Sequence, residues 1–306
     1  MKIVITESEN GKTVKELIRN GLGLSGTLVK ELKRLEDGIL LNGTRVTVRA
    51  VLNTGDILEI ACERENESST VIPEEGECDI ICEDESIIAF RKPSGMPTHP
   101  SRGHLTDTLA NAAAYIFAKR GVPFVFRAIT RLDNDVSGIV LCAANKMCAA
   151  RLSADIAKGR IKKYYLALCD GAPMSAGTCG TVRGYVRREQ TSIITRVFSP
   201  DGEGALAITE YKVLAENGSR SLLLLSPITG RTHQLRLTAA YLGCPICGDG
   251  FYGNEDTAAR CMLHAARLEL YHPASGKETV LYAPLYPDME KLIKENFGEL
   301  PNGYQR

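Results

Sequence analysis

Residues 63–77, "ERENESSTVIPEEGE", carry six acidic groups and one basic group, with scarcely any apolar surface. A stretch of that composition cannot bury itself, so it acts as a linker and divides the chain. The expected organisation is a small unit at 1–62, an acidic linker at 63–77 and a large unit at 78–306. The whole chain of 306 residues is neutral, with 37 basic and 37 acidic side chains. That balance excludes a uniformly basic nucleic-acid binder. Yet the linker alone holds −5, which leaves +1 before it and +4 after it. Local basic patches, not net charge, therefore decide whether phosphate can bind.

The first unit reads as two short helices and a few strands. "GKTVKELIRNGLG" and "SGTLVKELKRLEDG" have helical apolar spacing and glycines where helices should end. "ILLNGTRVTV" carries the Asn-Gly turn of a hairpin, and "GDILEI" is a further strand. Lys30, Lys33 and Arg34 cluster within a turn and a half of the second helix. The order of elements through "SGTLVKELKRLEDGILLNGTRVTVRAVLNTGDIL" resembles the small RNA-binding domain of a ribosomal small-subunit protein. That resemblance implies RNA contact through those three cations.

In the large unit, "DIICEDESIIAFRKPSG" predicts two strands around a turn, "DTLANAAAYIFAKRG" a helix, "GIVLCAA" a buried strand and "KMCAARLSADIAKGR" a helix ending at Gly159. "KKYYLALCDG", "LAITEYKVLAE" and "SRSLLLLSPITG" predict strands, and "RTHQLRLTAAYLG" a helix. Strands and helices do not alternate regularly, so the fold class is α+β with a mixed, mainly antiparallel sheet. "ENFGELPNGYQR" reads as a fraying tail. Ten cysteines are scattered, several inside apolar segments, and neither Cys78/Cys82 nor "CPIC" at 244–247 has partners at zinc-site spacing. Reduced structural thiols are expected, with no metal. No apolar run reaches membrane-span length, and no signal-peptide core is present, so a cytoplasmic protein is expected.

"RAITRLDNDVSGIVLCAA" (127–144) places Asp133 at the mouth of the buried strand, two positions from Arg131. In extended backbone the two side chains share a face, and the guanidinium favours the ionised carboxylate. This stretch alone would be read as a structural salt bridge. Three other segments suggest a site. "RKPSGMPTHPS" (91–101) is an irregular loop carrying Lys92 and His99. "GRIKKYYLAL" (159–168) sets Arg160, Lys162 and Lys163 before two tyrosines, a pattern suited to stacking a base and holding its phosphates. "ITGRTHQLRL" (228–237) runs a strand into a glycine turn that can present donors to an anion. There Arg231 is the candidate cationic partner of Asp133, whereas His233 reads as a satisfied core histidine.

Taken in order, "KPSGMPTHP", "RLDNDVSGIVL", "KKYYLAL", "TGRTHQLR", "GCPICGD" and "LHAARLELYHPASG" resemble the RluA-type family of RNA pseudouridine synthases. The resemblance spans residues 92–276, and "RLD" and "GRTHQLR" are its specific parts. It implies that Asp133 is the catalytic aspartate, Tyr165 the active-site tyrosine with Lys163 before it, and Arg231 the arginine paired with the aspartate, Arg131 flanking the site. Lys92 and Arg160 would join the RNA contacts, with Arg183, Arg187 and Arg188 gripping the backbone. Two positions depart from the family pattern: Thr130 stands where His is common, and Val136 where Thr is common.

The implied reaction breaks the bond from ribose to the base nitrogen, rotates the uracil and forms a carbon–carbon bond. It needs no cofactor, and no dinucleotide or P-loop fingerprint is present. The implied partner is RNA, with large-subunit ribosomal RNA favoured over tRNA, acted on by a monomer. A non-catalytic RNA-binding or ribosome-assembly protein is the first rival, but it has no use for Asp133, Tyr165 and Arg231 together. A carboxylate glycosidase is the second, but Asp135 lies too close in sequence to Asp133 to serve as the separated acid.

Overall fold

The computed structural model describes residues 1–61, 71–190, 192 and 194–299. The first half of the expected linker, residues 63–70, and residues 300–306 of the expected tail lie outside the described residues. The elements run β1 (Lys2–Val4), α1 (Val14–Glu16, continued by a π-helical turn Leu17–Gly21), α2 (Gly26–Leu32), β2 (Ile39–Leu41), β3 (Thr44–Arg45) and β4 (Ile57–Ile60). There follow β5 (Asp79–Glu83), β6 (Ile87–Lys92), α3 (Leu109–Lys119), β7 (Ser137–Ala143), α4 (Lys146–Ala157), β8 (Lys162–Asp170), β9 (Cys179–Arg188) and β10 (Arg196–Ser199). The remainder is β11 (Ala205–Glu216), β12 (Arg220–Pro227), α5 (Gln234–Tyr241), β13 (Leu263–Tyr271), β14 (Glu278–Tyr282) and α6 (Pro287–Phe297).

Strands β1–β4 form a four-stranded sheet in the order β1-β4-β2-β3. Asn42 and Gly43 both take positive φ, +52° and +77°, as the tight turn between β2 and β3 requires. Ser25 caps α2 by accepting the Leu28 amide at 3.1 Å. The core of this unit, with Val14, Ile18, Leu24, Leu52 and Leu58, also takes in Met147 from α4. The small unit is therefore packed onto the large one.

The other ten strands form one mainly antiparallel sheet, ordered β10-β9-β11-β12-β8-β13-β7-β6-β5, with β14 paired to β13. Among the described residues the one parallel pairing is between β13 and β7, at His264–Ser137 and Ala265–Gly138. Gly138 makes it possible. At φ +115°, a Cβ there would sit 2.5 Å from the Ala265 backbone nitrogen. All seven residues of β7 are buried, which explains its unbroken apolar run.

Two expectations need correction. The second half of the expected linker is not free: Asn111 of α3 donates to the Ile72 carbonyl at 2.7 Å, and the Glu74 amide donates to the Asn111 carbonyl. The tail begins later than its composition suggested, since residues up to Phe297 belong to α6 and Phe297 packs on the core. The β9–β10 ribbon was not anticipated. No helix among the described residues is long and apolar enough to cross a membrane.

Candidate active site

Asp133 ends a short irregular segment that turns into β7, the Val136 amide donating to the Asp133 carbonyl at 3.2 Å. Leu132 is buried behind it and tied to the Thr98 side chain, so Arg131 and Asp133 are both turned the other way. They line a cleft of about 310 Å³ together with Lys163 and Tyr165 of β8 and Arg231, His233 and Arg236 around the start of α5. Residues distant in sequence meet there because β8 and β12 pair side by side, with Tyr165 opposite Leu225. Thr130 and Val136, the two departures from the family pattern, also line the cleft. The Thr130 hydroxyl is occupied, accepting the Leu141 amide at 2.9 Å.

The expected ion pairs around Asp133 are not formed. Among the described residues its carboxylate pairs with neither Arg131 nor Arg231, and no hydrogen bond to it is present. Arg231 instead donates Nε to the Leu206 carbonyl at 3.0 Å, filling the free edge of β11 beyond the end of β12. The carboxylate nonetheless acts on its neighbours. Burial, reinforced by the Asp133 charge, pushes the Tyr165 phenol well above its ordinary range. Burial also lowers the Lys163 ammonium. Tyr165 thus stays protonated at any ordinary pH, as a phenol beside an anion.

Lys92 must be reassigned. Its side chain is fully buried, and its ammonium donates to the carbonyls of Pro93 (2.7 Å), Met96 (2.6 Å) and Asn134 (3.1 Å). A group enclosed in this way cannot reach RNA. Its place is to tie the proline-rich loop to the Asp133 turn. Burial depresses its pKa to about 7, against the opposing fields of Asp135 and Asp133.

At the α5 start, where donors to an anion were expected, the protein itself takes up two of them. The Gln234 side-chain oxygen accepts the Arg231 amide at 3.0 Å and the Thr229 hydroxyl at 2.8 Å. Its nitrogen donates to Ile208 and Thr209 of β11. His233 adopts φ +57°, a strained conformation for a non-glycine residue. It is buried as expected, but it also walls the cleft, and its Nδ1 lies 2.8 Å from the Tyr252 hydroxyl.

Arg236 and Asp249 went unrecognised in the sequence. Both are buried, with Arg236 Nε 2.7 Å from Asp249 Oδ2, and Arg236 reaches Asp135 at 3.4 Å. Burial would raise the Asp249 carboxyl, but the hydrogen bond and charge of Arg236 hold it below its ordinary value. Aspartate thirteen residues on carries no spacing signal. The remaining candidates lie away from the cleft: Arg160 is exposed and ion-paired to Asp155 at 3.4 Å, and Lys30, Lys33 and Arg34 are exposed around the end of α2. Cys244 and Cys247 are buried free thiols, Cys247 donating to Asp170 at 3.1 Å. No group of three or more metal-ligating side chains converges among the described residues.

The cleft thus brings together the Asp133 carboxylate, the buried Tyr165 phenol and the cations Arg131, Lys163 and Arg231. Residues 86–241 match the family described as RNA pseudouridylate synthase. The chain is 36% identical over 283 residues to YjbO of Bacillus subtilis, named an uncharacterized RNA pseudouridine synthase, covering 92% of this chain and 98% of the relative. It is 33% identical over 238 residues to ribosomal large subunit pseudouridine synthase D of Zymomonas mobilis, covering 72% and 74%. Among solved structures, human RNA pseudouridylate synthase domain containing 1 superposes with TM-score 0.58 at 26% identity, over 71% of this chain and 89% of that one. The chain belongs to the RNA pseudouridine synthase family, of RluA type, and is an isomerase.

Proposed function

We propose that Asp133 is the catalytic carboxylate and that the cleft holds one uridine flipped out of structured RNA. The observation that carries this reading is the unpaired Asp133 carboxylate at the cleft, beside the buried phenol of Tyr165. Asp133 attacks or stabilises the ribose–uracil unit as the bond to the base nitrogen breaks. The uracil rotates, its carbon 5 bonds to the ribose, and carbon 5 loses its proton while the nitrogen released from the ribose gains one, so the composition is unchanged. Tyr165 offers a ring face to the base and a phenol that stays protonated. Arg131, Lys163 and Arg231 border the cleft and neutralise the flanking phosphates. Extruding the base costs roughly a few kcal/mol, which those contacts offset.

Residues 1–62 act as an accessory RNA-binding module through Lys30, Lys33 and Arg34, and residues 78–306 as the catalytic domain. The favoured substrate is large-subunit ribosomal RNA, supported by the relative from Zymomonas mobilis that carries that name. The enzyme works as a cytoplasmic monomer without a cofactor. The test is incubation with unmodified large-subunit ribosomal RNA and with tRNA, followed by chemical mapping of pseudouridine, with Asp133→Asn as control. A new site in ribosomal RNA made only by the unaltered protein is the expected result. A site in tRNA alone would redirect the substrate, and unaltered product from Asp133→Asn would refute the role of the carboxylate.

A further inference from the structure

With no hydrogen bond or ion pair to its carboxylate among the described residues, Asp133 is placed by the backbone that carries it. That backbone has left the sheet. Just before it the chain still follows β7: the Ala143 amide donates to the Arg127 carbonyl at 2.9 Å, and the Ile129 amide to the Leu141 carbonyl at 2.7 Å. This pairing ends at Thr130, whose hydroxyl accepts the Leu141 amide. Leu132, the residue directly before the carboxylate, makes no hydrogen bond to another backbone group among the described residues.

The Thr98 side chain takes the place of a partner strand. Its hydroxyl accepts the Leu132 amide at 3.2 Å and donates to the Leu132 carbonyl at 2.9 Å. That amide belongs to the peptide plane shared with Arg131, and that carbonyl to the plane shared with Asp133. One oxygen therefore fixes the planes on both sides of Leu132, and with them the directions in which Arg131 and Asp133 leave the chain. Thr98 and Leu132 are both buried, so an amide or carbonyl left without its partner here is costly. The threonine is itself anchored. The Leu109 amide donates to the Pro97 carbonyl at 2.9 Å and the Ala110 amide to the Thr98 carbonyl at 3.3 Å. These are first-turn amides of α3, which have no acceptor within their own helix. Leu109 and Ala113 of that helix share a hydrophobic cluster with Leu132 and Tyr165, so α3 stands behind Thr98 as a fixed support. Downstream of Asp133 the Ser94 hydroxyl donates to the Asp135 carbonyl at 2.7 Å and the Gly95 amide to the Asn134 carbonyl at 2.9 Å. Those bonds hold the turn that follows, whereas Thr98 alone grips the residue that precedes the carboxylate.

We propose that Thr98 is a positioning residue for the reaction, aiming the Asp133 carboxylate through Leu132 without touching the RNA. The proposal rests on Asp133 being the catalytic carboxylate. Thr98 is not among the residues lining the cleft, so it acts only through the segment it holds. A reacting group displaced by about 1 Å can cost about 10²-fold in rate. Contacts to the rest of the RNA are made elsewhere and stay as they are. Loss of the hydroxyl therefore acts on kcat and leaves KM alone.

Thr98→Val keeps the shape of the side chain and removes the hydroxyl, whereas Thr98→Ser keeps the hydroxyl and removes a methyl. Acting on the RNA that the unaltered enzyme modifies, Thr98→Val should lower kcat roughly 10-fold or more with KM within about 2-fold. Thr98→Ser should hold kcat within about 3-fold of the unaltered enzyme. Amide hydrogen exchange is followed in the same proteins without RNA. The Leu132 amide should exchange roughly 10-fold or more faster in Thr98→Val, while the Leu109 amide keeps its protection. If the valine variant does not fold, Thr98→Ala is set against Thr98→Ser in both measurements, with the same expectations. Unchanged exchange at Leu132, an unchanged kcat without the hydroxyl, or a serine variant as slow as the valine or alanine one would each overturn the proposal. Exchange is read without turnover, so the grip on Leu132 stands or falls separately from the role of Asp133, which Asp133→Asn tests.

Discussion

The ammonium of Lys92 lies 3.1 Å from the carbonyl of Asn134, the residue next to Asp133 in the chain. With its bonds to Pro93 and Met96, it fixes the turn that presents the carboxylate. In the folded protein burial brings its pKa from the ordinary 10.5 to about 7. Below pH 7 both the folded and unfolded chains hold the proton, so Lys92 adds no slope. Between about pH 7 and 10.5 only the unfolded chain holds it, so stability rises with pH there, by about 1.4 kcal/mol per unit at most. Lys92→Met should abolish that slope, as read from urea melts across the window. The variant should also unfold more easily at pH 6, because three carbonyls lose their donor.

Asp133→Asn should lower kcat by about 10³-fold or more while RNA binding persists. Its carboxylate has no partner among the described residues, so stability should change by no more than about 0.5 kcal/mol. Single-turnover assays beside thermal melts check both. A melt lowered by many degrees would mean that Asp133 is structural.

Tyr165→Phe should preserve the stacking face and hence the affinity for RNA. If the phenol donates a proton during the reaction, kcat should fall by roughly 10²-fold or more. Because burial and Asp133 raise its pKa, Tyr165 should contribute no inflection to the rate profile between pH 6 and about pH 9. A basic limb in that range that vanishes in Tyr165→Phe would contradict this.

Asp249→Ala strands the buried Arg236 guanidinium, which should destabilise the fold by roughly 3–5 kcal/mol. Equilibrium denaturation measures it. The pair locks α5 to the loop carrying Phe251 and Tyr252, whose amides also donate to Asp249 Oδ1 at 2.9 and 3.1 Å. A change below about 1 kcal/mol would show that the loop is held by other contacts.

Much of the site could be read in the chain where the signal was local. The apolar run of β7 with acids before it drew attention to Asp133, and the family resemblance pointed to Tyr165 with Lys163 before it, both of which line the cleft. Lys92 was misread because its three acceptors come from residues 93, 96 and 134, and no spacing announces that they enclose it. Arg231 was matched to Asp133 by resemblance, yet in the folded chain the free edge of β11 is nearer to hand. Arg236 and Asp249 escaped notice because a buried ion pair between a helix and a loop leaves no periodic trace. The β9–β10 ribbon was missed because Gly184 takes a buried position of β9 between Val182 and Val186, which breaks the apolar alternation.

The parallel seam of β13 against β7 has a consequence for the enzyme's birth. The strand leading from Asp133 and the strand carrying Tyr165 are neighbours only through β13, which emerges from the ribosome long after both. A nascent chain therefore carries the carboxylate and the phenol without the spacer that sets them in one cleft. The cleft is thus assembled only after synthesis has reached the late strand that pairs between them.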